Sequence, residues 1–256
     1  MSVDDHPEIR ISPAFAEAGV TVRLGCLRAR VTVREDDPAT KEALAALADR
    51  LAGELAGSAV GELSGIAEAR QAFRDLGKDP SRYRPSSEAL LRRVVQGKGL
   101  FNVNTLVDTN NLVSLESRLP AGAYDLARIA GAFEAGLELR VGAEGEGYEA
   151  IARGPFNLAN LPVLCDARGP FGSPTSDSTR TMVTAACRET LLVVYAFGAA
   201  PEQEERLDAA LDGAESALRR YCGGVVAAWT AVRGPTCTRS RSCWLLPGTV
   251  RSGRFR

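Results

Sequence analysis

Helix-like and strand-like patterns both run through this chain, the second half being the more strand-like, and that mixture limits the fold more than any other feature of the sequence. Residues 39–55 are rich in Ala, Leu, Glu and Lys and follow Pro38, whose fixed φ suits the start of a helix. A second helix is expected over about 66–76, with Gly77 closing it. Residues 78–85 read as a loop, because Pro80 and Pro85 disfavour helix. A third helix follows, capped by Ser86 or Ser87, with Glu88 in its first turn, Leu90, Leu91, Val94 and Val95 as its apolar face, and Gly97 at its end. A fourth covers 104–115. After a turn at 119–122, Asp125 is expected to open a short helix through Ile129. Residues 137–141, 148–152, 162–166 and 191–197 are then strand-like, and 20–33 alternates loosely enough for a bent strand. Pro201 opens a long helix ending near Tyr221, ahead of Gly223 and Gly224. The chain as a whole reads as mixed α and β.

No low-complexity linker divides the 256 residues, so residues 1–233 are expected to form one domain. Residues 234–256 differ: no acidic residue follows Glu215, whereas Arg239, Arg241, Arg251, Arg254 and Arg256 all fall there, and the segment lacks periodicity. A basic, disordered tail is the expectation. The formal net charge of −1 argues against a nonspecific RNA coat but leaves room for a local basic patch. Neither a signal-peptide core nor an apolar stretch long enough to span a bilayer is evident, so a cytoplasmic, non-membrane protein with reduced thiols is expected. Cys26, Cys165, Cys187, Cys222, Cys237 and Cys243 form no C-x-x-C pair. The first three sit in apolar surroundings and read as buried small hydrophobes. The only histidine, His6, lies near the N-terminus, which weighs against a Ser-His-Asp triad or a multi-histidine metal site. Nucleotide P-loop and nucleophile-elbow motifs are missing. Neither a metal nor a cofactor is expected.

What remains is a dense set of small polar groups in three strings. The first is Lys78-Asp79-Pro80-Ser81-Arg82-Tyr83-Arg84-Pro85-Ser86-Ser87-Glu88-Ala89-Leu90-Leu91-Arg92-Arg93. The second is Asn104-Thr105-Leu106-Val107-Asp108-Thr109-Asn110-Asn111-Leu112-Val113-Ser114-Leu115, and the third Pro120-Ala121-Gly122-Ala123-Tyr124-Asp125. In the second string Asn104, Asp108 and Asn111 have helical spacing and would share one face. Asn and Asp are poor residues inside a helix, so such a face needs either internal hydrogen bonding or a ligand. A fourth, less specific string runs Gly169-Pro170-Phe171-Gly172-Ser173-Pro174-Thr175-Ser176-Asp177-Ser178-Thr179-Arg180-Thr181.

Together these strings resemble the stand-alone B3/B4 domain family, named for its similarity to the editing module in the β subunit of phenylalanyl-tRNA synthetase. The resemblance runs over about residues 72–197. It implies a three-layer α+β domain with an unusual β-sandwich core and flanking helices. It also implies an aminoacyl-tRNA-binding protein that deacylates mischarged tRNA in trans, as the synthetase module removes tyrosine from the phenylalanine tRNA. The synthetase module uses a histidine that has no match here. Candidate substrate-binding residues are Ser87, Glu88, Asn104, Asp108, Asn111, Ser176, Asp177 and Thr181, and candidate RNA-phosphate contacts are Arg82, Arg84, Arg92 and Arg93. Ester hydrolysis needs a placed water and donors for the oxyanion, and Asn, Ser and Thr groups can supply both without a protein nucleophile. Glu88, Asp108 and Asp177 are the candidates to receive a substrate phenol. The alternatives are a module that binds an amino acid or another small molecule without catalysis, and a structural or interaction domain.

Overall fold

The computed structural model describes residues 6–234 and 251–252. The elements run β1 (Ile9–Ile11), α1 (Ala14–Glu17), β2 (Val22–Arg30), α2 (Pro38–Glu54), α3 (Ile66–Asp75), α4 (Ser86–Val95), α5 (Thr105–Ser117) and β3 (Ala121–Asp125). They continue with β4 (Leu137–Val141), β5 (Gly147–Ala150), β6 (Gly154–Asn157), β7 (Pro162–Asp166), β8 (Gly169–Gly172), β9 (Glu189–Phe197), α6 (Pro201–Cys222), β10 (Val225–Arg233) and β11 (Arg251–Ser252). Single 3-10 turns lie at Val60–Glu62, Leu126–Arg128 and Thr179–Thr181.

The pattern of β9 accounts for the layers. Leu191, Val193, Tyr195 and Phe197 belong to one core, whereas Leu192, Val194 and Ala196 belong to a second, and all are buried. A period-two strand that is apolar on both faces has to be covered on both. β9 is an interior strand, between β2 and β3, of an antiparallel sheet of order β11-β10-β2-β9-β3. On one face lies a second sheet of order β1-β4-β7-β8, whose Leu137, Leu139, Val163, Leu164 and Phe171 enter the first core with Phe15 and Phe73. On the other face lie α5 and α6, through Leu106, Val113, Leu207, Leu211, Ala214 and Leu218. The loose alternation of β2 has the same origin. Val22, Leu24 and Cys26 face the second sheet, and Leu27 and Ala29 face the helices. Gly25 lies in that helix-facing row, where a Cβ would stand only 2.7 Å from Leu211 Cδ2, so α6 packs directly on the strand backbone. A third core joins α2, α3, α4 and α5 through Leu44, Leu51, Ile66, Leu91, Val94 and Leu115. The fold is therefore α+β in three layers, sheet on sheet on helices, as expected.

β4 and β7 fall at the expected bounds, and α2, α3, α4 and α6 differ from the expected helices by only a residue or two. Three local expectations are corrected. Asn104 precedes α5 in an extended conformation, and its Oδ1 accepts from the Leu106 and Val107 amides, so it caps the helix instead of sharing a face with Asp108 and Asn111. Ser86 and Ser87 do not cap α4: Pro85 holds that position, with no side-chain capping bond. The turn expected over 119–122 occurs earlier, at Arg118 with φ 63°, and residues 121–125 pair with β9; Asp125 then opens the short 3-10 helix Leu126–Arg128, as expected, its Oδ1 accepting from the Ala127 amide. Cys26, Cys165 and Cys187 are buried free thiols, as expected. Apart from Gly234, Arg251 and Ser252, the expected tail over 234–256 lies outside the described residues, as do Cys237 and Cys243. Among the described residues no helix is long and apolar enough to cross a membrane.

Candidate functional site

The site grows from the end of β3. Tyr124 is fully buried, its ring edge-on to Phe171 at 5.0 Å. Its hydroxyl donates to Asp177 Oδ1 at 2.8 Å and lies 3.1 Å from the Tyr195 hydroxyl. Gly122 and Gly172 make room for it, since a Cβ on either would lie 2.3 Å from Tyr124 Oη. Asp177 ends a loop closed on itself. Ser173 Oγ donates to Ser176 O and accepts from the Thr175 and Ser176 amides, and Tyr148 Oη donates to Ser176 O. The Ser173 amide also donates to Asp177 Oδ1, at 3.1 Å. Both hydrogen bonds fall on one carboxylate oxygen; Oδ2 takes none among the described residues and lies 3.2 Å from where a Cβ on Gly122 would sit. Desolvation raises the Asp177 pKa from 3.8 to about 7, against the opposing pull of the Tyr124 hydroxyl and the Ser173 amide. Burial and the neighbouring Asp177 likewise raise the Tyr124 and Tyr195 phenols well above their ordinary value, so both remain protonated donors.

Two helices reach this loop and strand. The Ser86 amide, first in α4, donates to Pro174 O at 2.8 Å. From α5, Asn110 Nδ2 donates to Ala121 O at 3.2 Å. On these segments four buried side-chain atoms have no partner among the described residues: Ser86 Oγ, Ser87 Oγ, Asn110 Oδ1 and Thr175 Oγ1. Buried polar atoms are nearly always paired, so four unpaired ones on segments that meet beside Asp177 mark a place for a polar ligand or water. The hydroxyls can donate or accept, Asn110 Oδ1 can accept, and Asp177 Oδ2 can take a proton near neutral pH.

Of the expected residues, Ser176 and Asp177 lie in this loop, and Ser87 follows Ser86 at the start of α4, its Oγ buried without a partner among the described residues. Thr181 is buried nearby, its hydroxyl 3.5 Å from Phe171 O, and Met182 beside it bridges to Tyr124. Glu88 is engaged elsewhere. It is fully buried and accepts from Arg70 Nη1 at 2.9 Å and Arg92 Nε at 2.8 Å, with Arg84 Nε at 4.0 Å. Asp108 accepts from the Val103 amide and Asn102 Nδ2, and burial raises its pKa. Asn111 is half-buried on α5. Arg82 stacks on Tyr83, while Arg93 donates to Gly99 O and Lys98 O and covers the exposed ring of Phe101. His6 is partly buried against Pro7 O, and desolvation lowers its pKa. Tyr124, Tyr195, Tyr148, Ser86, Asn110 and Thr175 were not singled out from sequence. Asn110 was hidden by its neighbour, because one residue on a helix turns a side chain by about 100°.

An α+β sandwich of two sheets with helices on one face, carrying a polar site between β3, α4 and the loop before Ser178, defines the class of the protein. Residues 68–223 match the model of the B3/4 domain, more than half of the chain, and the protein belongs to that family. No curated protein matches the sequence. Among solved structures, an N-terminal fragment of the phenylalanyl-tRNA synthetase β subunit from Pyrococcus horikoshii is similar at TM-score 0.42 and 11% identity. The match covers 88% of this chain and 52% of that one, so the chain spans about half the length of that fragment.

Proposed function

We propose that the protein binds aminoacyl-tRNA and hydrolyses the ester of mischarged species in trans, using the Asp177 site. Four buried polar atoms that have no partner among the described residues, on the segments that reach β3 and the Asp177 loop, carry this reading. Membership of the B3/4 domain family supports the choice of substrate class. Asp177 Oδ2 accepts a proton from water as the water oxygen attacks the ester carbonyl, and when the tetrahedral intermediate breaks its bond to the ribose oxygen Asp177 returns that proton to the leaving oxygen, releasing the tRNA hydroxyl and the free amino acid. The Ser86, Ser87 and Thr175 hydroxyls and Asn110 hold the aminoacyl group. A base of pKa about 7 suits this step, because it is half ionised at the working pH. Purified protein incubated with tRNAs carrying a broad panel of wrong amino acids should deacylate at least one, and Asp177→Asn should not. No accelerated deacylation across the panel, with no tRNA binding at low salt, would sink the proposal.

The net charge of −1 and a lone histidine, His6, that bonds to Pro7 O favour a second reading, an amino-acid-binding module without catalysis. Thermal stabilisation by a free amino acid, absent in Ser87→Ala and unaccompanied by tRNA binding, would select it.

A further inference from the structure

A second site, sharing no residue with the first, lies between α3, α4 and the turn Val60–Glu62. A pocket of about 420 Å³ there is lined by Arg70, Arg74 and Arg92, with Glu62 and Gln96 at its wall. Two of its arginines are fixed from behind. Glu88, fully buried, takes Arg70 Nη1 and Arg92 Nε, which orients both guanidinium groups. Their remaining edges converge on Gly61. The position a Cβ would occupy there is 3.3 Å from Arg70 Nε and 3.5 Å from Arg92 Nη2, which places these two donors within about 7 Å of each other, on different helices. Among the described residues no carboxylate takes Arg70 Nε or Arg92 Nη2, and Arg74 donates to Gln71. Arg70, Arg74, Arg92 and Arg84 together outnumber Glu62 and Glu88, so the pocket carries surplus positive charge.

We propose that this pocket is an oxyanion site for a phosphoryl group, held by Arg70 Nε, Arg92 Nη2 and Arg74 over the bare backbone of Gly61. Guanidinium forks match phosphate oxygens in geometry, and a buried carboxylate that presets two of them removes much of the ordering cost. The glycine keeps the floor of the pocket open where any side chain would enter it. The same chemistry serves a free phosphate compound or the backbone of a bound RNA, and these sources separate experimentally.

The test follows thermal stability of the full chain in inorganic pyrophosphate against chloride at equal ionic strength, and filter binding of uncharged tRNA over a salt series. The variants are Arg74→Gln, Arg92→Gln and Gly61→Ala. Arg74 is exposed and donates to Gln71, so its replacement leaves the fold intact. Pyrophosphate should stabilise the wild type, and each variant should need about tenfold more for the same shift. If the phosphoryl group belongs to RNA, the variants instead weaken tRNA binding by a similar factor, and each arginine variant flattens the salt slope by about one. Unchanged pyrophosphate response and unchanged tRNA affinity in all three variants would overturn the proposal, as would a wild type that binds neither. Deacylation is not read in either arm, so failure here leaves the Asp177 proposal standing, and the reverse holds too.

Discussion

At the residue scale the decisive group is Asp177. Its pKa is about 7 in the folded chain and 3.8 in the unfolded one. The folded state therefore holds the proton more tightly, and between about pH 4 and pH 7 the chain takes up a proton on folding. Stability contributed by this group is present below pH 4 and is lost as pH rises through 7. Urea denaturation at stepped pH should show that decline in the wild type, and Asp177→Asn should flatten it. Asparagine can still accept from Tyr124 and the Ser173 amide. The deacylation rate should rise with pH through about 7 and level off above it, while Asp177→Asn should lower it about a hundredfold or more. A profile flat from pH 5 to 8 would remove Asp177 from the chemistry. Gly122 tests the same geometry sterically. Gly122→Ala would press a methyl group against Tyr124 Oη at 2.3 Å, and should cost about 1–3 kcal/mol in denaturant unfolding.

At the element scale, α4 and α5 begin in opposite ways. α5 is capped by Asn104, whose side chain holds two amides. α4 begins at Pro85 with Ser86 and Ser87 bearing unpartnered hydroxyls. Helix-capping residues contribute about 1 kcal/mol, so Asn104→Ala should lower stability by that amount and leave ligand binding unchanged. Ser87→Ala should do the reverse. Removing an unpaired buried hydroxyl costs the fold nothing and can stabilise it, whereas binding at the Asp177 site should weaken about tenfold. Paired measurements of melting temperature and deacylation or ligand affinity distinguish the two. If Ser87→Ala loses stability and keeps function, its hydroxyl is structural.

At the scale of the molecule, the layers meet where β2 presents Gly25 to α6. A Cβ there stands 2.7 Å from Leu211 Cδ2 and 2.9 Å from Leu207 Cδ1, so the helix sits as close to the sheet as backbone contact permits. Gly25→Ala should wedge the helical layer away and cost about 1–3 kcal/mol. Gly53, inside α2 with nothing within 4 Å of its Cβ position, provides the opposite case: Gly53→Ala should stabilise by about 0.5–1 kcal/mol. Equal effects of the two substitutions would mean that layer spacing does not limit packing.

The helices were legible because their signals are local. Pro38 and Pro201 start helices, Gly223 ends one, and apolar residues at helical spacing fix the buried face. β4 and β7 were legible from short apolar runs, whereas β6 and β8 contain Gly154-Pro155 and Gly169-Pro170 and give no alternation to read. β3 was hidden because its small residues owe their extended form to pairing with β9. The resemblance that the four strings carry is to the family the chain belongs to. The strings could not say which members meet. Glu88 and Asp177 look alike in sequence, yet one is neutralised by arginines from three segments and the other is desolvated beside two tyrosines. The sequence by itself determined the helices, the mixed α and β class and the polar segments, since these follow from interactions between near neighbours. Only the tertiary structure decided the site, because burial and electrostatics depend on residues such as Tyr124 and Asp177 that are far apart along the chain and adjacent only after folding.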